Sequence, residues 1–352
     1  MKYLMLFSRF ATFVAVAAIA GTAVAHHGPA NEPLYDMSQI REFDGIVTDV
    51  FWRNPHARFR FRVIGGEEDG EIWEVETNPV GILLRTGFTP DLVPVGSEIK
   101  VAGVVSRRRP RQMELYNVLL PNGLEFADAA RPKPLRYADQ RLNLEQAQSN
   151  QAAVDAATSE ADGIFRVWGR DRTSLGRFPD ESMLTEAAKA AKAAFDPRTD
   201  LPHLDCIPPG MPTGMMIPSL FQFIDRGDII ELRVQEYDLL RTIHMDSGVD
   251  SDAQPATPLG YSVGRWEGDT LVVTTTRIDW PNSDRNGVPQ SPDVIHVERF
   301  TPAPDGQTMA YELTSIDPVY LIGSPVRPGS FSWRPGSQIE PFECEVWEDD
   351  AQ

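Results

Sequence analysis

Alternating apolar and polar residues run through most of the first third of the chain. Five such stretches are separated by turns rich in Gly, Pro and Asn, and an apolar segment of helical length lies between the third and the fourth. The pattern predicts strands over 45–52, 57–64, 71–76, 97–105 and 113–120, and a short helix over 79–86. Five strands with one short helix are typical of a small OB-like β-barrel, and a β-sandwich is the alternative.

The second half of the chain shows the same alternation at near-regular spacing. The region opens with the apolar stretch 164–168, and eight strands are predicted over 221–224, 229–235, 239–245, 260–266, 270–277, 294–300, 308–315 and 342–347. Gly268 is expected in a hairpin turn between two of them, and Thr185 is expected to cap an Ala-rich helix that ends before Pro197. We expect a mainly β chain whose C-terminal part forms an antiparallel, lipocalin-like barrel or half-barrel.

A stretch of different composition lies between these regions. Residues 128–162 are rich in Ala, Gln and Glu and poor in large apolar side chains, so they cannot bury much surface. They are predicted to be a linker with helical tendency. The expected domains are therefore an OB-like barrel over 26–127 and a larger barrel over 163–349.

The first 25 residues have the features of a secretory signal. Lys2 and Arg9 precede an apolar run that ends in Ala23-Val24-Ala25, an A-x-A cleavage site. No other long apolar run occurs in the chain. The sequence therefore predicts a periplasmic or secreted protein without a membrane span, whose mature form begins at His26.

Charge and motifs exclude several classes of function. The 352 residues carry 33 Lys and Arg against 51 Asp and Glu, a net charge of −18, which argues against nucleic-acid binding. No glycine-rich phosphate loop, H-E-x-x-H or C-x-x-C motif occurs. Nucleotide-dependent enzymes, common zinc proteases and thioredoxin-like redox proteins are thus disfavoured. The oligomeric state stays open.

Cys206 and Cys344 are the only cysteines. In an oxidising compartment such a pair indicates one disulfide bond. The alternative is soft-metal binding, because Cys206 lies near His203, Met211 and Met215, and thiolate and thioether ligands suit copper(I).

Three of the six histidines indicate a second metal hypothesis. Cleavage after Ala25 would give His26 a free α-amine beside its imidazole, and His27 or His56 would supply another nitrogen ligand. Such nitrogen ligands suit copper(II), the one cofactor that the residues indicate. The alternative is an exposed terminus and a packed His56.

Two strands of the predicted C-terminal barrel carry candidate acid–base groups. The two-residue period of a strand places His296 and Glu298 on one face, and likewise His244 and Asp246. If these faces point into the barrel, a histidine near a carboxylate is suited to a cofactor-free lyase or isomerase reaction on an apolar substrate. If they point outward, the four are ordinary solvated residues.

Several motifs resemble two uncharacterised families of bacterial secreted proteins. His26-His27 and Trp52-x-Asn-Pro-His56 resemble a domain of unknown function that begins A-H-H and carries W-x-N-P-H. Cys206-x-Pro-Pro-Gly-Met-Pro and Gly264-x-Trp-Glu-Gly-Asp-Thr-Leu-Val-Val resemble a β-rich envelope domain. Neither resemblance implies an activity.

We therefore expect a protein that binds a small apolar molecule. A copper-binding envelope protein and a non-catalytic module that binds other envelope proteins are the alternatives.

Overall fold

The protein is mainly β and contains two separate sheets. The computed structural model describes residues 34–127, 134–142, 151–170, 180–196, 199–200, 206–217, 219–245 and 248–345. The elements of the N-terminal part are β1 (Tyr35–Phe51), β2 (Arg58–Val63), β3 (Ile72–Glu76), α1 (Val80–Arg85), β4 (Glu98–Ser106), β5 (Gln112–Leu119) and β6 (Glu125–Ala127). The five predicted strands and the short helix are all present.

The N-terminal sheet closes on itself as expected for an OB-like barrel. Its order is β3-β2-β1-β4-β5-β6, and a parallel pairing of β3 with β5 joins the two sides. The 17-residue strand β1 bends at a β-bulge between Val47 and Asp49, so that its first part pairs with β4 and its second part with β2. One long strand thereby pairs with both β2 and β4.

The alternation in β2 shows why these residues form a barrel strand. Phe59, Phe61 and Val63 are buried, whereas the intervening arginines are partly or fully exposed. Since successive side chains of a strand point to opposite faces, one face fills the barrel core and the other meets solvent. Trp73, Leu83 and Phe88 complete this core.

The C-terminal part contains a second, larger barrel. Its elements are α2 (Gln151–Ser159), β7 (Val167–Arg170), α3 (Glu186–Ala194), α4 (Thr213–Met216), β8 (Leu220–Asp225), β9 (Ile229–Val234), β10 (Leu239–His244), β11 (Tyr261–Glu267), β12 (Thr270–Thr276), β13 (Ile295–Pro302), β14 (Thr308–Ile316) and β15 (Val326–Trp333). Short 3-10 segments lie at Pro90–Leu92, Glu181–Met183, Glu236–Asp238 and Ser251–Ala253.

The described strands β7 to β15 close into a barrel in the order β10-β11-β12-β13-β14-β15-β7-β8-β9. Neighbours pair antiparallel except β10 and β11, which are parallel. The predicted turn at Gly268 joins β11 to β12, and its φ of 61° is one that glycine adopts without strain. Thr185 caps α3 as predicted by accepting a hydrogen bond from Ala188 N.

One predicted strand is wrong, and three strands, β6, β7 and β15, were not predicted. Residues 342–345 form only an isolated bridge, between Cys344 and Asn54 of the N-terminal part. The strand that completes the barrel is instead β15, which pairs with β14 and β7. Pro328 and Gly329 interrupt its alternating pattern, and both residues disfavour strands in general.

Aromatic side chains fill the barrel. Phe221, Phe223, Phe300, Tyr311 and Phe331 are nearly inaccessible to solvent and pack with ring centroids 4.6 to 5.3 Å apart across successive contacts. Tilted and edge-to-face contacts of this kind add to the stabilisation from burial. This core occupies much of the barrel interior.

Candidate functional site

The inner face of β13 places His296 and Glu298 inside the barrel. Both are fully buried, whereas Val297 and Arg299 between and beyond them are partly exposed. The shared face expected from the alternation of β13 therefore points inward. Two residues predicted as acid–base candidates thus lie in the barrel interior.

Arg241 on β10 points to the same interior and binds Glu298. Its Nη2 atom donates to Glu298 Oε2 at 2.5 Å and to Thr275 Oγ1 at 2.6 Å, while Nε donates to Ser262 Oγ at 2.9 Å. Tyr311 donates its hydroxyl proton to the other carboxylate oxygen, Oε1, at 2.9 Å. Charge-assisted hydrogen bonds of this kind compensate the cost of burying both charges.

Tyr311 stays protonated in this cluster, and one nitrogen atom of Arg241 lacks a hydrogen-bond partner within the described chain. Burial, and after it the charge of Glu298, raise the pKa of Tyr311 well above its ordinary value, so its hydroxyl remains a donor. The Nη1 atom of Arg241 is buried without a hydrogen-bond partner within the described chain. The cluster is therefore nearly, but not fully, satisfied.

His296 is held at both ring nitrogens. Its Nδ1 lies 3.0 Å from Ser315 Oγ and its Nε2 lies 3.2 Å from Gln290 Oε1. The Gln290 amide nitrogen donates to the carbonyl oxygens of Met211 and Trp280, which directs Oε1 toward the imidazole. We infer that Nε2 carries the ring proton and that Nδ1 accepts from the Ser315 hydroxyl.

The imidazole of His296 is neutral over most of the pH range. Burial, followed by the charge of Arg241, lowers its pKa to about 3. Among the described residues no hydrogen bond joins His296 to Glu298, since each binds other partners. The arrangement orders the barrel interior, and a catalytic role for either residue stays a prediction.

His244 lies apart from this interior. It is partly exposed on the outer face of β10, while Arg241 and Ile243 on the same strand are buried. Its ring stacks on Tyr261, with centroids 4.5 Å apart. The structure therefore does not bring His244 to His296, and Asp246 lies outside the described residues.

In the N-terminal barrel, His56 pairs with a buried carboxylate. Its Nδ1 contacts Glu76 Oε1, and Glu76 also lies near Arg58 and bonds the Tyr35 hydroxyl. Burial opposes ionisation of Glu76, but His56, Arg58 and Tyr35 outweigh it and lower its pKa to about 2. His26 and His27 lie outside the residues that the structure describes.

Cys206 and Cys344 are joined by a disulfide bond, with Cα atoms 5.8 Å apart. This agrees with the disulfide hypothesis and removes the thiolate needed for copper(I) binding. Met211 and Met215, near Cys206, are buried in the barrel core. They act as packing residues.

The disulfide anchors a C-terminal segment, residues 334–345, against both barrels. Asn54 is the centre of this contact: its Oδ1 accepts from Val80 N at the start of α1, its Nδ2 donates to Phe342 O, and its carbonyl accepts from Glu345 N. Phe342 is buried against Tyr237 of the larger barrel, with ring centroids 4.8 Å apart. The segment therefore ties the two barrels together.

A cavity of about 580 Å³ lies where the two barrels and this segment meet, and we call it the interdomain cleft. The smaller barrel supplies Asn54 and residues 79–82 and 84–85, the larger barrel supplies residues 219–220 and 235–236, and the C-terminal segment supplies residues 337–338 and 340–343. Its apolar wall consists of Pro79, Val80, Ile82, Leu84, Leu220, Pro341 and Phe342.

Polar side chains also line the interdomain cleft, and some of them are fixed by bonds within the protein. Arg85 Nη1 donates to Gln235 Oε1 at 3.1 Å and so bridges the two barrels. Glu236 is 7% exposed and lies 3.9 Å from Arg285. Small-molecule sites commonly combine an apolar wall with fixed polar groups.

None of the residues around the interdomain cleft was a sequence-based candidate. They come from five separated parts of the chain and follow no motif, so that only the fold brings them together. Arg241 was also missed, because an arginine within a strand is ordinarily expected on the solvent face.

Two further observations concern metal ions and membrane-spanning helices. In the part of the chain that the structure describes, no group of three or more His, Cys, Asp or Glu residues is placed to hold a metal ion. No helix among the same residues has the length and hydropathy needed to cross a membrane.

Residues 14–112 match the model of a family of unknown function (DUF6152). This match agrees with the uncharacterised family expected for the N-terminal region. No curated protein matches the chain. The resemblance of the C-terminal region to a second family stays a prediction.

Proposed function

We propose that this protein binds a mainly apolar small molecule in the interdomain cleft, outside the cytoplasm. The observation that carries the proposal is a cavity of about 580 Å³ with an apolar wall, built jointly by both barrels. This size falls within the usual range for small-molecule sites, roughly 300 to 1,000 Å³. The disulfide supports an oxidising compartment such as the periplasm.

The cleft is favoured over the barrel interior, where the ligand was first expected. Aromatic side chains pack the interior, and His296 and Glu298 bind protein partners there. A cleft between two bodies offers room without displacing a packed core. The larger barrel then acts mainly as a rigid support for Ser219, Leu220, Gln235 and Glu236.

The test uses phenylnaphthylamine, a neutral apolar dye whose fluorescence rises when it leaves water. We expect saturable binding of one dye per protein chain. Leu84 lines the cleft and is 46% exposed, so Leu84→Trp should fill the cleft without disturbing a packed core. Val95→Trp is the matched control, because Val95 is 65% exposed and does not line the cleft.

Loss of dye binding in Leu84→Trp, with binding retained in Val95→Trp, supports the proposal. Equal binding by both variants, or no saturable binding by the unaltered protein, overturns it. Circular dichroism of all three proteins verifies that they are folded.

Acid–base catalysis by His296, Glu298, His244 and Asp246 stays a separate prediction. Because His296 is neutral and hydrogen-bonded at both nitrogens, it would need a substrate group to replace Ser315 or Gln290. A lyase or isomerase activity that survives His296→Gln would exclude this residue as the acid or base.

Copper binding is a second candidate function, supported by the pairing of His56 with Glu76. A carboxylate on one ring nitrogen orients an imidazole and leaves the other nitrogen for a metal, as is common around bound metals. His26 and His27 would complete the ligand set if the mature chain begins at His26.

Copper titration of the secreted protein tests this second candidate. We expect one copper ion per chain, and weaker binding in His56→Ala. The matched control is His244→Ala, which removes an imidazole from the larger barrel. Mass spectrometry showing a mature terminus other than His26, or titration without stoichiometric binding, overturns it.

A further inference from the structure

We propose that the ligand of the interdomain cleft is an amphipathic organic cation, an apolar body that carries an ammonium group. This inference rests on the proposed function and names the chemical class of the ligand. It is carried by the charges that line the cleft, which are mainly negative.

Three carboxylates and one guanidinium line the interdomain cleft. Glu236 comes from the larger barrel, Glu340 and Glu343 come from the C-terminal segment, and Arg85 comes from α1. No lysine is among the lining residues. Arg285 lies 3.9 Å from Glu236 and offsets its charge, so the lining and this neighbour together carry an excess of one negative charge, although the surface of the cleft is largely apolar.

The positions of these charges favour a cation over an anion. Glu236 is paired with Arg285, so a ligand carboxylate would meet the like charges of Glu340 and Glu343. The Arg85 guanidinium already donates to the Gln235 side chain, which orients it for bridging the barrels. A ligand ammonium would instead gain attraction from Glu340 and Glu343.

The exposed carboxylates of Glu340 and Glu343 lie at the solvent edge of the interdomain cleft. The excess of negative charge is therefore at its entrance, because the buried Glu236 is paired with Arg285. The net charge of −18 adds a long-range field of the same sign. Such a field raises the local concentration and the association rate of cations.

The apolar wall favours an organic cation over a metal ion. Metal ions of the calcium or magnesium type need several oxygen ligands in close order. In the described residues no metal-binding group of three or more His, Cys, Asp or Glu side chains is assembled. Val80, Ile82, Leu84 and Phe342 instead offer contact to an apolar body.

Three probes of the same size and different charge test the inference on the full-length mature protein. They are phenylpropylamine, phenylpropanol and phenylpropionate, each measured by calorimetry and by displacement of phenylnaphthylamine. We expect the amine to bind about tenfold more tightly than the alcohol, with phenylpropionate the weakest. Added salt should reduce the advantage of the amine, because exposed charges are screened.

A charge-neutralising variant supplies the second measurement. Glu340→Gln/Glu343→Gln removes two exposed charges and should reduce the preference for the amine over the alcohol severalfold. Glu312→Gln is the matched control, because Glu312 is exposed on β14 and does not line the cleft. Binding of phenylnaphthylamine should be unaffected in both variants.

The outcomes separate this inference from the proposed function. If the dye binds in the cleft but phenylpropionate or phenylpropanol binds as tightly as the amine, the inference is wrong and the proposed function stands. If the amine preference is the same in the double variant as in Glu312→Gln, the carboxylates do not select the ligand. If neither the dye nor any probe binds, the proposed function itself is wrong.

Discussion

Arg241 and Glu298 form an ion pair inside a closed barrel, 2.5 Å apart and with side chains 3% and 0% exposed. The pair links β10 to β13 on opposite sides of β11 and β12, and Ser262 and Thr275 on these intervening strands hold its guanidinium. One charged group thus connects four neighbouring strands. Removing either partner leaves an uncompensated charge in the core.

Arg241→Met is predicted to lower the free energy of unfolding by about 3 to 5 kcal/mol, because Glu298 stays buried without its cation. The double variant Arg241→Met/Glu298→Leu should lose less than the sum of the single losses, since it leaves no buried charge. Equilibrium unfolding in urea measures both quantities.

The matched control is the surface pair of Arg299 and Glu267, 2.9 Å apart with side chains 38% and 40% exposed. Arg299→Met should cost no more than about 1 kcal/mol because solvent screens that pair. If Arg241→Met also lowered the free energy of unfolding by no more than about 1 kcal/mol, the buried pair would not hold the barrel together.

The lowered pKa of the buried His296 predicts that the stability of the protein depends on pH. Its pKa is about 3 in the folded protein and 6.5 without the fold, so unfolding takes up a proton between these values. The free energy of unfolding should therefore fall as pH is lowered from 6.5 toward 3. In His296→Gln the slope should decrease by up to about 1.4 kcal/mol per pH unit. Slopes are best compared above about pH 4.5, where carboxylates remain mostly ionised. An unchanged slope would contradict the assignment.

The hydrogen bonds of the Asn54 side chain are predicted to stabilise the contact between the two barrels and the C-terminal segment. Asn54→Ala removes the acceptor for Val80 N and the donor to Phe342 O, and should lower the free energy of unfolding by about 1 to 3 kcal/mol. Asn54→Asp keeps the acceptor and removes only the donor, so it serves as the matched variant. Hydrogen exchange at Glu345 N, which donates to the retained backbone carbonyl of Asn54, should be faster in Asn54→Ala than in the unaltered protein, because the segment loses its neighbouring bond from Asn54 Nδ2 to Phe342 O. Equal exchange would show that the segment is held elsewhere.

The disulfide predicts sensitivity to reduction. Cys206 and Cys344 are 138 residues apart, and a cross-link over so long a loop restricts the unfolded chain strongly. Cys206→Ser/Cys344→Ser should lower the free energy of unfolding by about 2 to 5 kcal/mol. A reductant should cause a similar loss in the unaltered protein and none in the double variant. A reductant effect in the double variant would show that it acts at another site.

Local patterns predicted most of the strands. The alternation in β2, the glycine turn before β12 and the Thr185 cap each depend on neighbouring residues, so the sequence alone reveals them. Strand β15 was missed because Pro328 and Gly329 obscure its period. The strand predicted over 342–347 is wrong for its described residues, 342–345. Glu343 and Glu345 alternate with apolar side chains as in a strand, but Phe342 packs on Tyr237.

The candidate sites were predicted only in part. The shared face of His296 and Glu298 follows from the period of one strand, but Arg241 is 57 residues from Glu298 and no local signal pairs them. The interdomain cleft could not be predicted from the sequence, because Asn54, Gln235 and Phe342 meet only after two barrels and a C-terminal segment have packed.

The closure of the larger barrel by β15 and β7 has a consequence for the order of folding. The smaller barrel has all of its paired strands once residue 127 has left the ribosome, whereas β7 waits for a partner about 160 residues later in the chain. Until then β7 presents an open edge to other chains. A chaperone that shields this edge until β15 has been made would therefore raise the yield of folded protein.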